Sequence, residues 1–249
     1  MMGNLLALTQ RELKAFWYSP IAYAVGASFL FMQGLVFWLL IAVMNDPRVD
    51  PALSMAQFFF GSTFFYWLST LITAPLLTMR AFSEEKRTGS IELLLTAPVT
   101  DTQVVLAKFL GAWLAYVLLW ASTVVFFLLL RRYTAFDWAP VAGGYLGTWL
   151  LGAVLIAVGI LASSLTRNQV IAALLTFVTL LALFSLGLLE AFIKDPDTLK
   201  LLEQFSLLGQ LGTFSKGILD TRPIVLYASL TVACLFMTVR VIGSPRWRS

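Results

Sequence analysis

Residues 138–166 read WAPVAGGYLGTWLLGAVLIAVGILASSLT, without one charged side chain. A helix needs about 20 apolar residues to cross the hydrocarbon core of a bilayer. This stretch is longer than that, so it reads as a membrane-crossing element. A continuous helix is the expected form, because in lipid it satisfies every backbone N–H and C=O within one segment. A membrane β-barrel would alternate polar and apolar residues over strands of about 10 residues, and this run does not alternate.

The run is one of several. Charge-free stretches also cover residues 15–45 (the span itself near 21–44), 52–79, 109–130, 168–189 and 223–239. The last is the shortest, but Arg240 can snorkel from its end to the headgroups. The expectation is an all-α membrane protein of six spans, forming one domain over residues 1–249. Composition points the same way: 59% of residues are hydrophobic and 12% charged, with mean hydropathy +0.86. Soluble domains carry about 25% charged residues, and one soluble core could not hide this much apolar surface. Residues 1–18 lack the basic-then-apolar layout of a signal peptide, so none is expected.

Several chemistries are excluded. The sequence has no His and a single Cys, Cys234. A disulfide within the chain, a His-based metal site and any Ser-His or Cys-His catalytic pair are therefore ruled out. No Gly-x-x-x-x-Gly-Lys-Ser/Thr loop is present, so nucleotide phosphates are not cradled by that route. No charge falls at the centre of a predicted span, which makes the chain a poor candidate for an ion-coupled carrier. The net charge of +4 comes from Lys and Arg scattered along short loops. That pattern signals topology and anionic lipid contact, not the basic stripe of a nucleic-acid binder. With six spans both termini share a side, and ten of the 17 Lys and Arg fall on it. The bias places the termini in the cytoplasm, with Arg131-Arg132 on the outer side as the chief objection.

Three segments outside the spans carry the rest. Over residues 4–18, Leu5, Leu6, Leu13, Phe16 and Trp17 share one helical arc, with Asn4, Gln10, Arg11 and Lys14 opposite. This is an amphipathic helix lying in the interface, and Glu12 breaks its pattern. Residues 80–101, RAFSEEKRTGSIELLLTAPVTD, begin crowded with charge and turn at Thr88-Gly89-Ser90. They continue in a short apolar stripe, Ile91, Leu94 and Leu95, closed by Pro98. Thr100-Asp101-Thr102-Gln103 then forms a capping box that starts the third span. The stripe needs a partner: the membrane, the protein's own helices, or a cytoplasmic subunit. Residues 190–222 suggest a short helical hairpin on the outer side, with a helix start at Asp195-Pro196-Asp197 and a second helix over residues 213–219. Gly143, Gly144, Gly147 and Gly152 suggest close packing of the fourth span.

The run from Phe82 to Pro98, FSEEKRTGSIELLLTAP, followed by Lys108-Phe109-Leu110, resembles the characteristic segment of ABC-2-type permeases. The likeness is greatest to the gliding-motility-type permeases and those of copper-enzyme maturation. Phe214-Ser215-Lys216-Gly217-Ile218-Leu219-Asp220 is similar to the stretch before their last span. The resemblance implies an interfacial N-terminal helix, a cytoplasmic coupling helix near residues 84–95 and short outer helices. It implies a second permease subunit, the same chain or a sister, and a separate cytoplasmic ABC ATPase that holds the ATP and Mg. No cofactor is expected in this chain, and it is not expected to be an enzyme. Glu84, Glu85, Arg87, Gly89, Ile91, Glu92, Leu94 and Leu95 would contact the ATPase subunit. The substrate path would lie between the two permeases, lined by the second and fifth spans. The resemblance further implies residence in a bacterial inner membrane and export, with a periplasmic auxiliary subunit as a possible partner. A non-transporting scaffold that passes ATPase-driven motion to periplasmic partners is the other reading it leaves open.

Overall fold

The computed structural model describes residues 2–45, 55–62, 64–90, 99–189, 195, 206–218 and 220–244. Among them the chain is helical, with no strand. Helix α1 (Met2–Trp17) precedes α2 (Pro20–Met44), whose Pro20 sits at the first helical turn, where a missing N–H costs nothing. A three-residue helix, α3 (Met55–Gln57), leads into a π-helical segment, Phe58–Ser62. Helix α4 (Phe64–Thr78) follows, and then the short α5 (Ser83–Thr88). Helices α6 (Asp101–Ser122) and α7 (Val124–Leu130) are nearly continuous, broken only at Thr123. Helix α8 (Trp138–Leu165), α9 (Gln169–Leu189), α10 (Leu207–Ser215) and α11 (Thr221–Ile242) complete the order.

Four helical stretches are long and apolar enough to cross a membrane: Pro20–Met44, Asp101–Leu130, Trp138–Leu165 and Thr221–Ile242. The second and fifth expected spans correspond to the shorter α4 and α9. The expected continuous second span is corrected by the π segment. Phe59 and Phe60 are adjacent in sequence and both fully buried. Neighbours in an α-helix diverge by about 100°, so a widened turn helps carry both rings inward. They meet Phe127 and Tyr145, with Phe59–Phe127 centroids 5.1 Å apart and Phe60–Tyr145 4.8 Å, both edge-to-face. Pro75 lies inside α4.

Helix α8 is the hub, packed against α4, α6, α9, α10 and α11. The hydrophobic effect does not drive helix association in lipid, so close contact must. Glycine supplies it. A Cβ at Gly144 would run into the Phe60 ring, one at Gly152 into the Tyr116 ring, and one at Gly159 into Thr78. Gly159 adds a contact to the glycine cluster read from sequence. Buried polar pairs complete the seam. Gln33 Nε2 donates to Ser69 Oγ at 2.8 Å, joining α2 to α4. The Tyr66 and Thr148 hydroxyls, 2.9 Å apart, join α4 to α8.

The expected helix over residues 213–219 is replaced by α10, which begins earlier, at Leu207. Ser206 Oγ caps it by accepting from Gly209 N at 3.1 Å. Gly209 and Gly212 are inside it. The helix start expected at residues 195–197 lies outside the described residues except for Asp195. Helix α4 is mostly buried by its neighbours and leaves Phe64, Phe65 and Ile72 exposed, whereas α9 exposes Val170, Leu174 and Val178. The first turn of α6, the ends of α8 and α11, the start of α9 and the body of α1 all gather at one end of the bundle, around α5.

Candidate functional site

Helix α5 has six residues, SEEKRT. An isolated helix of this length does not hold together in water, so its neighbours must fix it. The local sequence helps: Glu84 and Glu85 lie in the first turn and Lys86 and Arg87 in the last, which complements the helix dipole. Gly89 ends the helix in the left-handed region, at φ 74°, a conformation that glycine enters without steric cost.

Three anchors hold α5. The first is Ser163, in the last turn of α8. Phe82, at the cap position, offers no capping side chain. Ser163 Oγ takes that role from outside, accepting from Phe82 N at 3.1 Å and Ser83 N at 3.2 Å. The same hydroxyl is 3.2 Å from the Met79 carbonyl, to which it donates. The second anchor is Lys86, whose ammonium donates to the Ser164 carbonyl. Carbonyls in a helix's last turn lack intrahelical partners, so the contact satisfies α8 while fixing α5. Burial, and then the Arg167 charge, pull the Lys86 ammonium down from the ordinary lysine value to about 8.

The third anchor is Lys108, two turns into α6. Its side chain is only 4% exposed. Nζ lies 2.7 Å from Glu85 Oε1 and 3.4 Å from Glu12 Oε1, and 5.3 Å from the centroid of the buried Phe82 ring. One ammonium therefore joins α1, α5 and α6. Glu12 has a second cation, Arg11, at 2.9 Å. A buried ion set adds little net stability over a well-packed apolar one. Removing one member, however, leaves an uncompensated charge and is strongly destabilising. Gly111 makes the approach of α1 possible, since a Cβ there would stand 2.8 Å from Glu12 Cβ.

Weaker contacts surround this node. Glu84 lies 3.9 Å from both Arg80 and Arg87, and Arg80 Nε donates to Gln169 Oε1 at 3.2 Å, reaching the start of α9. These groups are solvated and contribute little energy singly. Together the contacts connect α5 to α1, α6, α8 and α9, so a push on α5 reaches four helices.

The residues singled out from sequence separate in space. Glu85 turns inward to Lys108. Glu84 is half-buried between two arginines, while Arg87 and Gly89 are exposed. Ile91, Glu92, Leu94 and Leu95 lie outside the described residues. Glu12, Ser163, Ser164 and the inward role of Lys108 were not read from the sequence. Two signals pointed to Glu12 and Lys108: the acid that broke the apolar arc of α1, and a lysine inside a helix begun at Asp101. The capping box is as expected, with Gln103 N donating to Thr100 Oγ1 at 3.3 Å and Thr100 N to Gln103 Oε1 at 3.2 Å. Among the described residues no group of His, Cys, Asp and Glu is arranged to hold a metal ion.

Residues 45–211 match the family model described as ABC-2 family transporter protein. No curated protein matches the sequence.

Proposed function

The chain belongs to the ABC-2 family of transporter proteins, and from that premise we propose that α5, with the segment after it, is the coupling element through which a cytoplasmic ATPase drives the bundle. Membership makes the chain a multi-pass membrane permease subunit of an ABC transporter, a transport component that partners an ABC ATPase and is not itself an enzyme. The remainder is our reading. Helices α2, α4, α6 with α7, α8, α9 and α11 are six spans. The end of the bundle that holds α1, α5 and the close of α11 faces the cytoplasm of a bacterial inner membrane. Two permeases pair, and the direction is export.

The observation that carries the reading is the Lys108 node. Helix α5 is too short to stand alone, yet Glu85, Lys86 and the cap from Ser163 bond it to α6 and α8, and Lys108 carries the connection on to α1. Its far end, Arg87 to Ser90, is exposed. An element bound on one side and open on the other is suited to pass a displacement inward. On this reading Arg87 and Gly89, with Ile91, Glu92, Leu94 and Leu95 beyond them, meet the ATPase, while Glu85 transmits and Glu84 steadies Arg87. Hydrolysis, with ATP and Mg, takes place in the partner. ATP-driven closure then pushes α5, and the two permeases rearrange as bodies about their interface.

The test is co-purification in mild detergent from cells carrying the tagged chain. An ABC ATPase should come down with the parent and be lost with Leu94→Asp, while both chains insert equally. A folded chain that brings down no ATPase would remove the proposal.

A further inference from the structure

We propose that the groove between α2 and the α6–α7 junction holds one acyl chain of an anionic phospholipid, whose phosphate lies against Arg131 and Arg132. The inference goes beyond the transport reading and requires only that the bundle cross a bilayer. The groove has a volume of about 560 Å³. Leu30, Phe31, Gly34 and Leu35 form one wall, and Ser122, Val125 and Phe126 form the other. Gly34 keeps it open, since a Cβ there would meet nothing nearer than Phe126 Cζ at 4.0 Å.

Apolar surface facing lipid calls for no particular molecule, but the cations above the groove do. The chain stays helical past α7, with Arg131 N donating to the Phe127 carbonyl at 2.9 Å and Arg132 N to that of Leu129 at 3.1 Å. Val125, Leu129 and Arg132, spaced by four and three residues, therefore share one face, and all three are exposed. Arg132 is ten residues beyond Ser122, or about 15 Å at the helical rise, which is half of the ~30 Å hydrocarbon core. A chain seated beside Ser122 and Gly34 thus belongs to a lipid whose headgroup is level with Arg132. The exposed Tyr133 and Trp138 mark the same level, where amphipathic rings collect.

The two arginines have donors to offer. Arg131 Nη1 donates to the Phe136 carbonyl at 3.1 Å, and the guanidinium lies 5.9 Å from the centroid of that ring. Among the described residues neither Arg131 nor Arg132 forms an ion pair. Asp137, the nearest acid along the chain, caps α8 by accepting from Ala139 N at 3.0 Å. Adjacent guanidiniums without a carboxylate attract a phosphate, which accepts charge-assisted hydrogen bonds from them. They also repel the ammonium of a choline or ethanolamine headgroup, so a lipid with net negative charge is favoured. The pair that stood against the expected topology gains a partner in its own leaflet.

The full chain, purified in detergent and returned to nanodiscs of equal phosphatidylglycerol and phosphatidylcholine, tests this without any ATPase. Failure here therefore leaves the permease reading untouched. Native mass spectrometry of the released protein should show phosphatidylglycerol retained about tenfold over phosphatidylcholine. Arg131→Gln with Arg132→Gln should remove one phosphatidylglycerol per chain. Gly34→Leu, which fills the groove where only Phe126 is near, should remove the same one at unchanged thermal stability. If that variant unfolds, Ser122→Leu fills the groove from α6. Arg240→Gln, beside the start of α6 at the other end of the bundle, should leave that lipid bound. Equal retention of the two lipids by the parent chain overturns the proposal, as does a phosphatidylglycerol count that the arginine pair does not change. A count that falls with the arginines but survives filling of the groove overturns it as well, because the chain is then seated elsewhere.

Discussion

Replacing Lys108 by Met removes the ammonium that Glu85 and Glu12 share, and leaves two carboxylates facing each other beside Phe82. Breaking a fully buried pair by losing one partner costs about 3–5 kcal/mol. The side chains of Glu85 and Glu12 keep 20% and 23% of their exposure, and Arg11 still holds Glu12 at 2.9 Å. The lower end of that range, about 3 kcal/mol, therefore applies. Glu85→Gln keeps the shape and one hydrogen bond, so it should cost less, about 2 kcal/mol. The double variant Lys108→Met with Glu85→Met replaces the pair by apolar side chains of similar length. It should return to within about 1 kcal/mol of the parent, a coupling well above the ~0.5 kcal/mol of independent sites. Stability would be read from SDS-induced unfolding in mixed micelles, and coupling from transport-stimulated ATPase activity of the reconstituted complex. The repaired double variant should be stable yet poorly coupled, because the rigid connection from α5 to α6 and α1 is gone. Additive single effects would refute the assignment of Lys108 as the shared anchor. Full coupling in the double variant would refute its role in transmission.

Other consequences are simpler. Ser163→Ala removes the external cap of α5 and should cost about 1–2 kcal/mol, while hydrogen exchange at Phe82 and Ser83 should rise before any global change. Gly152→Ala drives a methyl into the Tyr116 ring and should destabilise by about 1–3 kcal/mol. Gly212→Ala, which meets nothing in α10, should instead stabilise by up to about 1 kcal/mol; thermal melts of the pair separate the two. For Lys86 the folded value of about 8 lies below the unfolded 10.5, so between these the unfolded chain binds more protons. The cost of burying the ammonium is fully present below pH 8 and is relieved as pH rises toward 10.5. The stability difference between parent and Lys86→Met should therefore shift in the parent's favour across that window and stay flat below it.

The membrane class was legible because a charge-free run such as residues 138–166 has few alternatives, and the glycines of α8 announced close packing by their number. The family segment was legible from residues 82–98. The interior was less so. The π segment follows from two adjacent phenylalanines that must both be buried, a demand set by Phe127 and Tyr145 from distant parts of the chain. Glu85 read as one of four charges in a row, and only the position of Lys108 on α6 shows that it faces inward. Glu12 spoiled the amphipathic pattern for the same reason: its partner is 96 residues away. Ser163 and Ser164 look like ordinary residues of a helix end, and their role depends on α5 lying against that end. Local periodicity finds elements, whereas a charge shared by three helices is visible only after they pack.

The most direct test of α5 as the coupling element is site-specific cross-linking in membranes. Thr88→Cys places a thiol at the exposed end of α5, in a Cys234→Ala background that removes the chain's only native cysteine. Tyr133→Cys, 87% exposed at the native residue and at the opposite end of the bundle, is the control. The account predicts a nucleotide-sensitive cross-link to the ATPase from position 88 and none from position 133. An intact, active complex in which position 88 gives no cross-link, or gives no more than position 133, would contradict it.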